Sequence, residues 1–465
     1  MKRIAGVVVA LAVLQSSQAS KPDWTAADAE LISHFQQLVR FDTTDPPGGE
    51  RPAVDYLKKV LTDAGIEFQE FALEPNRPNL VARLKGSGSK RPLLLMGHTD
   101  TVNVDPAKWS HPPFSADREG GYIYGRGTVD DKDNVAASLM TMLLLKRLNV
   151  PLDRDVIFLA EAGEEGTTRI GIQFMVNQHF DAIDAEYCLA EGGSGYRTEG
   201  SVRFVSVQTL EKVPYAVELI ARGPAGHGSV PLETNAVAHV AQAVANVAKW
   251  SPPVRLNETT SAYFKRLAEI SPPAEAQRYR DVLDPKKIEA VDAYFRKKEP
   301  RHASMLRTSV SANIIQAGYR INVIPSEATA RLDVRALQDE NMPAMLEAIK
   351  KVVDDPTVEV KFAQRDTRPP GKEARIDSEA FKALEASVRA HYNAPTLPTM
   401  STGATDMAYL RGKGMQCYRV GPATDTEDGP KGFGAHSDQE RILESELSRF
   451  MHYYWDTIVA LAGKK

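Results

Sequence analysis

Leu93-Leu94-Leu95-Met96-Gly97-His98-Thr99-Asp100 is the stretch from which the chain is best read. Its large apolar residues run without alternation and stop at a glycine. Such a run suits a strand covered on both faces, as in a parallel sheet between helix layers. Functional groups of open α/β sheets gather at the carboxyl ends of such strands. His98 and Asp100 stand at that end. An i, i+2 pair on extended backbone projects both side chains to one side. The carboxylate could therefore orient the imidazole or share its ligand. Taken alone, the pair also reads as an ordinary hydrogen-bonded strand end.

Outward from this stretch, strands and helices alternate. Ala26–Arg40 and Arg51–Ala64 carry apolar residues at helical spacing, and Phe68–Ala72 and Asn79–Leu84 read as short strands. Downstream, Asn134–Leu148 is a strongly apolar helix, Val156–Glu161 a buried strand, Ile170–Gln178 a helix and Ala185–Ala190 a strand. This alternation predicts a parallel α/β architecture. Near residue 201 the pattern changes. Val202–Gln208, Tyr215–Ala221, Val310–Gln316 and Ala328–Val334 alternate as half-exposed antiparallel strands do. They predict a small α+β domain inserted into the first. The expected division is residues 20–204 and 339–465 for the main domain and 205–338 for the insertion. Residues 251–305, rich in proline and charge, are expected to enlarge the insertion.

A chain of 465 residues is too long for one ordinary core. A formal charge of −4, without basic runs interleaved with aromatics, argues against a nucleic-acid partner. Residues 1–19 read as a signal peptide: a basic Met1-Lys2-Arg3, an apolar run over Ile4–Leu14 too short to span a bilayer, and Ser17-Gln18-Ala19 before the expected cleavage. The expectation is a secreted or periplasmic protein with no membrane anchor after cleavage. Cys188 and Cys417 could pair or remain buried thiols; sequence does not choose.

Further stretches end strands or glycine turns in acids or histidine. They are Gly125-Arg126-Gly127-Thr128-Val129-Asp130-Asp131-Lys132, Glu161-Ala162-Gly163-Glu164-Glu165, Glu191-Gly192-Gly193 and Gly434-Ala435-His436. Acids crowded at the end of a core strand repel one another unless cations offset them. Nitrogen and oxygen donors without thiolate suit a catalytic zinc. Five ligands exceed what one such zinc uses and point to two ions sharing a carboxylate. One carboxylate must stay free of metal to accept a proton from water. The Glu164-Glu165 pair offers one ligand and one base.

In this order the motifs resemble metallopeptidase family 20, which includes aminoacylases, carboxypeptidases of the G and S types and Xaa-His dipeptidases. The resemblance runs from about residue 28 to the C-terminus. It implies an α/β zinc-peptidase catalytic domain, its central sheet mixed but mostly parallel and flanked by helices, plus an inserted α+β lid/dimerisation domain. It implies that His98 and Glu191 bind one zinc, that Glu165 and His436 bind the other, and that Asp130 bridges both and precedes a cis peptide bond to Asp131. Glu164 would be the general base and Asp100 would hold His98 through its second nitrogen. Cobalt or manganese could replace zinc. Asp133 departs from the pattern, which often has glycine there. Gly226-His227-Gly228-Ser229 resembles the lid motif whose histidine stabilises the oxyanion, often across a dimer. Asn322 and Arg335 would hold a substrate carboxylate, and Gly403 would line the pocket with backbone groups. The implied activity is hydrolysis of amide bonds in peptides with a free C-terminus. Deacylation of N-acyl amino acids is the alternative. A non-catalytic binding protein on the same fold and a phosphoester hydrolase stand behind these.

Overall fold

The computed structural model describes residues 21–365 and 368–464. The signal-peptide expectation lies outside the described residues. Two sheets organise the chain. The larger runs in the order Phe68–Phe71, Asn79–Leu84, Val156–Glu161, Leu93–His98, Tyr187–Ala190, Gln416–Arg419, Ser201–Glu211, Gly195–Thr198, Thr424–Asp425, with Thr396–Ser401 beside Ser201–Glu211. Its centre is parallel: Leu93–His98 pairs in parallel with both Val156–Glu161 and Tyr187–Ala190, and Gln416–Arg419 pairs in parallel with the latter. The opening stretch is thus the strand its composition predicts. Leu93, Leu94, Leu95 and Met96 are wholly buried, each worth about 2 kcal/mol on burial. The helix Lys132–Arg147 packs on this strand and is buried through its first 14 residues.

The smaller sheet runs Ser309–Ala317, Glu327–Ala336, Val213–Arg222, Val358–Ala363, all antiparallel. Ala236–Lys249 and Met342–Val353 pack on it, with Val240, Ala243, Met345 and Ile349 in the shared core. The sheet unit therefore extends beyond the expected boundary of 338. Met342–Val353 and Val358–Ala363 complete it, because their apolar faces have nowhere else to be buried. Its first boundary is Lys212, between Ser201–Glu211 of the large sheet and Val213–Arg222 of the small one.

The helices between 258 and 305 behave differently from the expectation. Phe264, Leu267, Tyr279 and Phe295 share a core with Leu210, Leu397 and Met400 of the large sheet. The inserted residues are anchored on the main body rather than enlarging the small sheet. Cys188 and Cys417 face each other in register on neighbouring parallel strands, both buried and both free thiols.

Candidate metal centre

Parallel strands deliver their carboxyl ends to one edge. His98 ends one strand and Glu161 ends its neighbour in direct register. Glu164-Glu165 and Glu191 follow two of these strands within a few residues. Asp130 lies in the loop before the buried helix, and its peptide bond to Asp131 is cis. His436 comes from the loop before the last helix. The result is two donor triads, His98–Asp130–Glu191 and Asp130–Glu165–His436, each with its ligand atoms within 4.8 Å of one another. Asp130 belongs to both.

The contacts are direct. His98 Nε2 lies 3.0 Å from Asp130 Oδ1, and His436 Nε2 lies 3.1 Å from Asp130 Oδ2 and 2.8 Å from Glu165 Oε1. Hydrogen bonds to Asp130 and Glu165 push His436 up to about 10. Burial opposes the charge on His98, yet Asp100 and Asp130 hold its pKa well above the ordinary value. Burial also raises Asp130, but His436 and His98 outweigh it and hold the carboxyl below its usual range. The acids therefore demand positive charge at the two imidazole nitrogens. A divalent cation at each triad satisfies the same demand, so the residues fit a metal pair.

Asp100 does more than its expected task. Its backbone carbonyl accepts the His98 Nδ1 hydrogen bond at 3.0 Å, while its carboxylate stands 3.6 Å from that nitrogen. The carboxylate instead accepts the backbone N–H groups of Glu164 and Glu165 at 3.1 and 2.9 Å. One residue thus fixes the histidine and the double-glutamate turn together. Burial, with Glu191 and Glu165 adding, raises Glu164 well above the usual carboxylate range against the pull of His98 and Arg368. Burial likewise raises Glu191 against the pull of Arg419, whose Nη2 is 3.3 Å from its Oε2. Asp133 is buried, and among the described residues neither of its carboxylate oxygens is hydrogen-bonded.

Sequence reading missed several supports. Glu440 accepts hydrogen bonds from Gly127 N, Val129 N and Arg126 Nη1 at 3.1, 2.8 and 2.6 Å, tying the Asp130 loop to the His436 loop. Arg419 braces Glu191, and Arg368 touches Glu164. Nothing in their local sequence marks them, because each acts across a separation of more than 200 residues.

The remaining predicted residues do not converge. His227 is exposed on a two-stranded ribbon paired with Val323, where its Nδ1 accepts the Ser229 N–H at 3.2 Å and lies 2.7 Å from Ser229 Oγ. Asn322 lies beside it, its carbonyl accepting from Gly228 N at 2.9 Å. Arg335 sits at the opposite end of the small sheet, opposite Pro214, with its Nε 3.0 Å from Asp333. Arg365 shares that aspartate at 2.7 Å. From Glu327 to Arg335 the strand runs about 26 Å at ~3.3 Å per residue. Within one chain, Asn322 and Arg335 therefore cannot clamp one carboxylate, contrary to the expectation. Gly403 lies in the loop after Thr396–Ser401, its N–H on Ser401 Oγ at 3.1 Å. The same loop is pinned to the domain crossing by Thr405, which donates to Glu211 at 2.9 Å.

A mostly parallel sheet with a carboxylate–histidine cluster at its strand ends, and a second sheet hinged beside it, is the build of a metal-dependent hydrolase. The chain belongs to peptidase family M20/M25/M40, which it matches over residues 94–460. It is 26% identical to the probable carboxypeptidase S-like 2 of Dictyostelium discoideum, over 93% of this chain and 85% of that protein. It is 24% identical to mouse aminoacylase-1, over 93% of this chain and 95% of that protein. In fold it is similar to the family's metallo-carboxypeptidase Sso-CP2 from Sulfolobus solfataricus, with a TM-score of 0.66 and 19% identity over 94% of this chain and 99% of that one. The protein is a hydrolytic enzyme of carboxypeptidase, dipeptidase or aminoacylase type. No helix among the described residues is long and apolar enough to cross a membrane.

Proposed function

We propose that this is an exported hydrolase that uses two zinc ions to cleave amide bonds in peptides with a free C-terminus. The observation that carries the reading is the pair of triads sharing Asp130. His98 and Glu191 would hold one ion, Glu165 and His436 the other, and Asp130 both. Nitrogen and carboxylate donors without thiolate favour zinc, with cobalt or manganese as substitutes. When bound, the metals supply Lewis acidity at the scissile carbonyl.

The chain's own residues supply the rest. Glu164 takes a proton from the attacking water and returns it to the leaving amine. Asp100 keeps Glu164 in place through its backbone N–H. Arg335 recognises the substrate carboxylate, with the Gly403 loop lining the pocket. His227 stabilises the oxyanion from the lid.

The distance between Arg335 and the Asn322 tip favours a homodimer in which the tip serves a partner's site. Ser309–Ala317 is an edge strand, with Ile314 and Ile315 about half exposed and Tyr319 and Ile321 exposed beyond it. An apolar unpaired edge of this kind is a pairing surface. N-acyl amino acids present the same amide and the same carboxylate, so deacylation is the second reading, favoured by the aminoacylase likeness. The test is Glu164→Gln assayed on dipeptides and N-acyl amino acids. Turnover is expected to fall by about 10³-fold or more with zinc content near that of the parent. Retained activity removes Glu164 as the base.

A further inference from the structure

Arg368 lies on the segment that returns from the small sheet to the main body, between Val358–Ala363 and Glu379–Tyr392. Its Nη2 is 3.1 Å from Glu164 Oε1 and 3.3 Å from the Glu164 carbonyl oxygen. The same nitrogen is 3.4 Å from Asp406 Oδ1. Asp406 is wholly buried, and among the described residues neither of its oxygens is hydrogen-bonded and its one ion pair is with Arg368. Arg368 Nε is buried and has no partner among the described residues.

This is a poor design for an ion pair that serves stability alone. A guanidinium offers five N–H donors, and a buried ion pair gains net stability only when those donors are satisfied. Here Nη2 faces three oxygens, and Nε has no partner among the described residues. It is instead well placed to fix one side chain. Asp406 holds it from behind, and it holds Glu164 by side chain and backbone carbonyl together. After Arg368 the backbone is restrained: Pro369 and Pro370 follow, and Gly371 N–H donates to Gln338 Oε1 at 2.7 Å. A Cβ on Gly371 would meet Arg411 Cβ at 2.4 Å, so the chain runs close against the helix Met407–Gly412.

We infer that Arg368 is a positioning residue for Glu164, clamping Oε1 so that the second oxygen faces the metal side, with Asp406 anchoring the clamp. A Glu164 oxygen lies within 4.8 Å of ligand atoms of His98 and Glu165, so a small swing of the carboxylate decides whether it meets the reacting water. Because Arg368 stands on the return segment from the lid, the clamp also ties the base to that segment. The inference rests on the reading of Glu164 as the base.

The experiment measures kcat, KM and zinc content for the zinc-loaded parent, Arg368→Ala, Arg368→Lys, Glu164→Gln and the Arg368→Ala/Glu164→Gln pair. Misplacing a catalytic group by about 1 Å costs ~10²-fold in rate. Arg368→Ala should lose about that much kcat, keep KM and zinc content, and regain activity when guanidinium ion is added. Arg368→Lys should fall between parent and alanine, since it keeps the charge and loses the fork. In the Glu164→Gln background the arginine substitution should cost nothing further. Unchanged kcat in both Arg368 variants, a rise in KM alone, or an equal loss in the Glu164→Gln background overturns the inference. Retained turnover in Glu164→Gln with parental kcat in Arg368→Ala overturns the base reading as well. An inactive Glu164→Gln beside a fully active Arg368→Ala overturns the clamp alone.

Discussion

The two sheets handle their functional residues in opposite ways. The large sheet brings His98, Glu165 and Glu191 to one edge from strands far apart in sequence, and Asp130 and His436 join them from adjacent loops. The small sheet spreads its own. His227 and Asn322 end up at one tip, and Arg335 at the other end beside the domain crossing. Topology is the cause. Parallel strands all finish at the same edge, so residues just past their ends converge. Antiparallel neighbours finish at alternate edges, so residues at the start and end of one hairpin strand diverge. The proposed metal centre is therefore complete in one chain, while the residues proposed to recognise substrate are divided within it.

Removing the residue on which the convergence depends should have the largest effect. Asp130→Asn is expected to lower kcat by at least about 10³-fold, the several kcal/mol that bound metal supplies to the reaction. Metal analysis should find the zinc content reduced as well. Full zinc content and activity would show that the two triads do not share this carboxylate.

On the divided side, His227→Ala should cost about 10²-fold in kcat, as for loss of one oxyanion donor, with zinc content unaltered. An unaffected rate would leave the hairpin tip without a role. The double substitution Ile314→Lys, Ile315→Lys places charge on the apolar edge strand. Sedimentation at a series of concentrations should show self-association weakened by about tenfold or more, equivalent to ~1.4 kcal/mol. If the oligomeric state is unmoved, the edge is not the pairing surface and the tip must serve its own chain.

At the crossing between the sheets the expected effect falls on stability rather than rate. Lys212 is fully buried there, its Nζ on Ser304 Oγ and Ser309 Oγ at 3.1 Å each. Burial, with Arg335 and Arg307 adding, pushes it down to about 7. An unfolded lysine keeps its proton to about pH 10.4. Between those values the unfolded chain binds more protons, so stability rises with pH across that window. Below about pH 7 the cost of the buried charge is present in full. Lys212→Met lacks this cost. Its unfolding free energy from urea titration should exceed the parent's most at pH ~6, and the gap should shrink by on the order of 2–4 kcal/mol towards pH ~10. A gap that does not change with pH would mean that Lys212 is not titrating from a buried state.

The large sheet and the five His, Asp and Glu residues that gather at its edge were legible because their signals are local. An unbroken apolar run, a glycine and an acid or histidine at its end can be read without knowing what lies opposite. The extent of the small sheet was not. Val358–Ala363 carries the same period-two alternation as its partners, but Met342–Val353 intervenes as a helix, and the return to alternating helix and buried strand looked like the main domain resuming. The helices of 258–305 carry amphipathic faces that do not say which sheet they cover. Asp100 had two roles available to an aspartate, and only three-dimensional placement of the Glu164-Glu165 turn selects the second. Arg368, Arg419 and Glu440 were invisible for the same reason: an arginine or glutamate in a loop carries no sign of the partner it meets across the fold.

Asp130 is proposed to serve two ions at once. The measurement that tests it most directly is a count of zinc bound per chain after chelation and titration, in the parent and in variants that each disable one triad. The parent should bind two ions per chain, and Glu191→Ala and His436→Ala should each bind one tightly. One tight ion in the parent, or full binding in both variants, would contradict it.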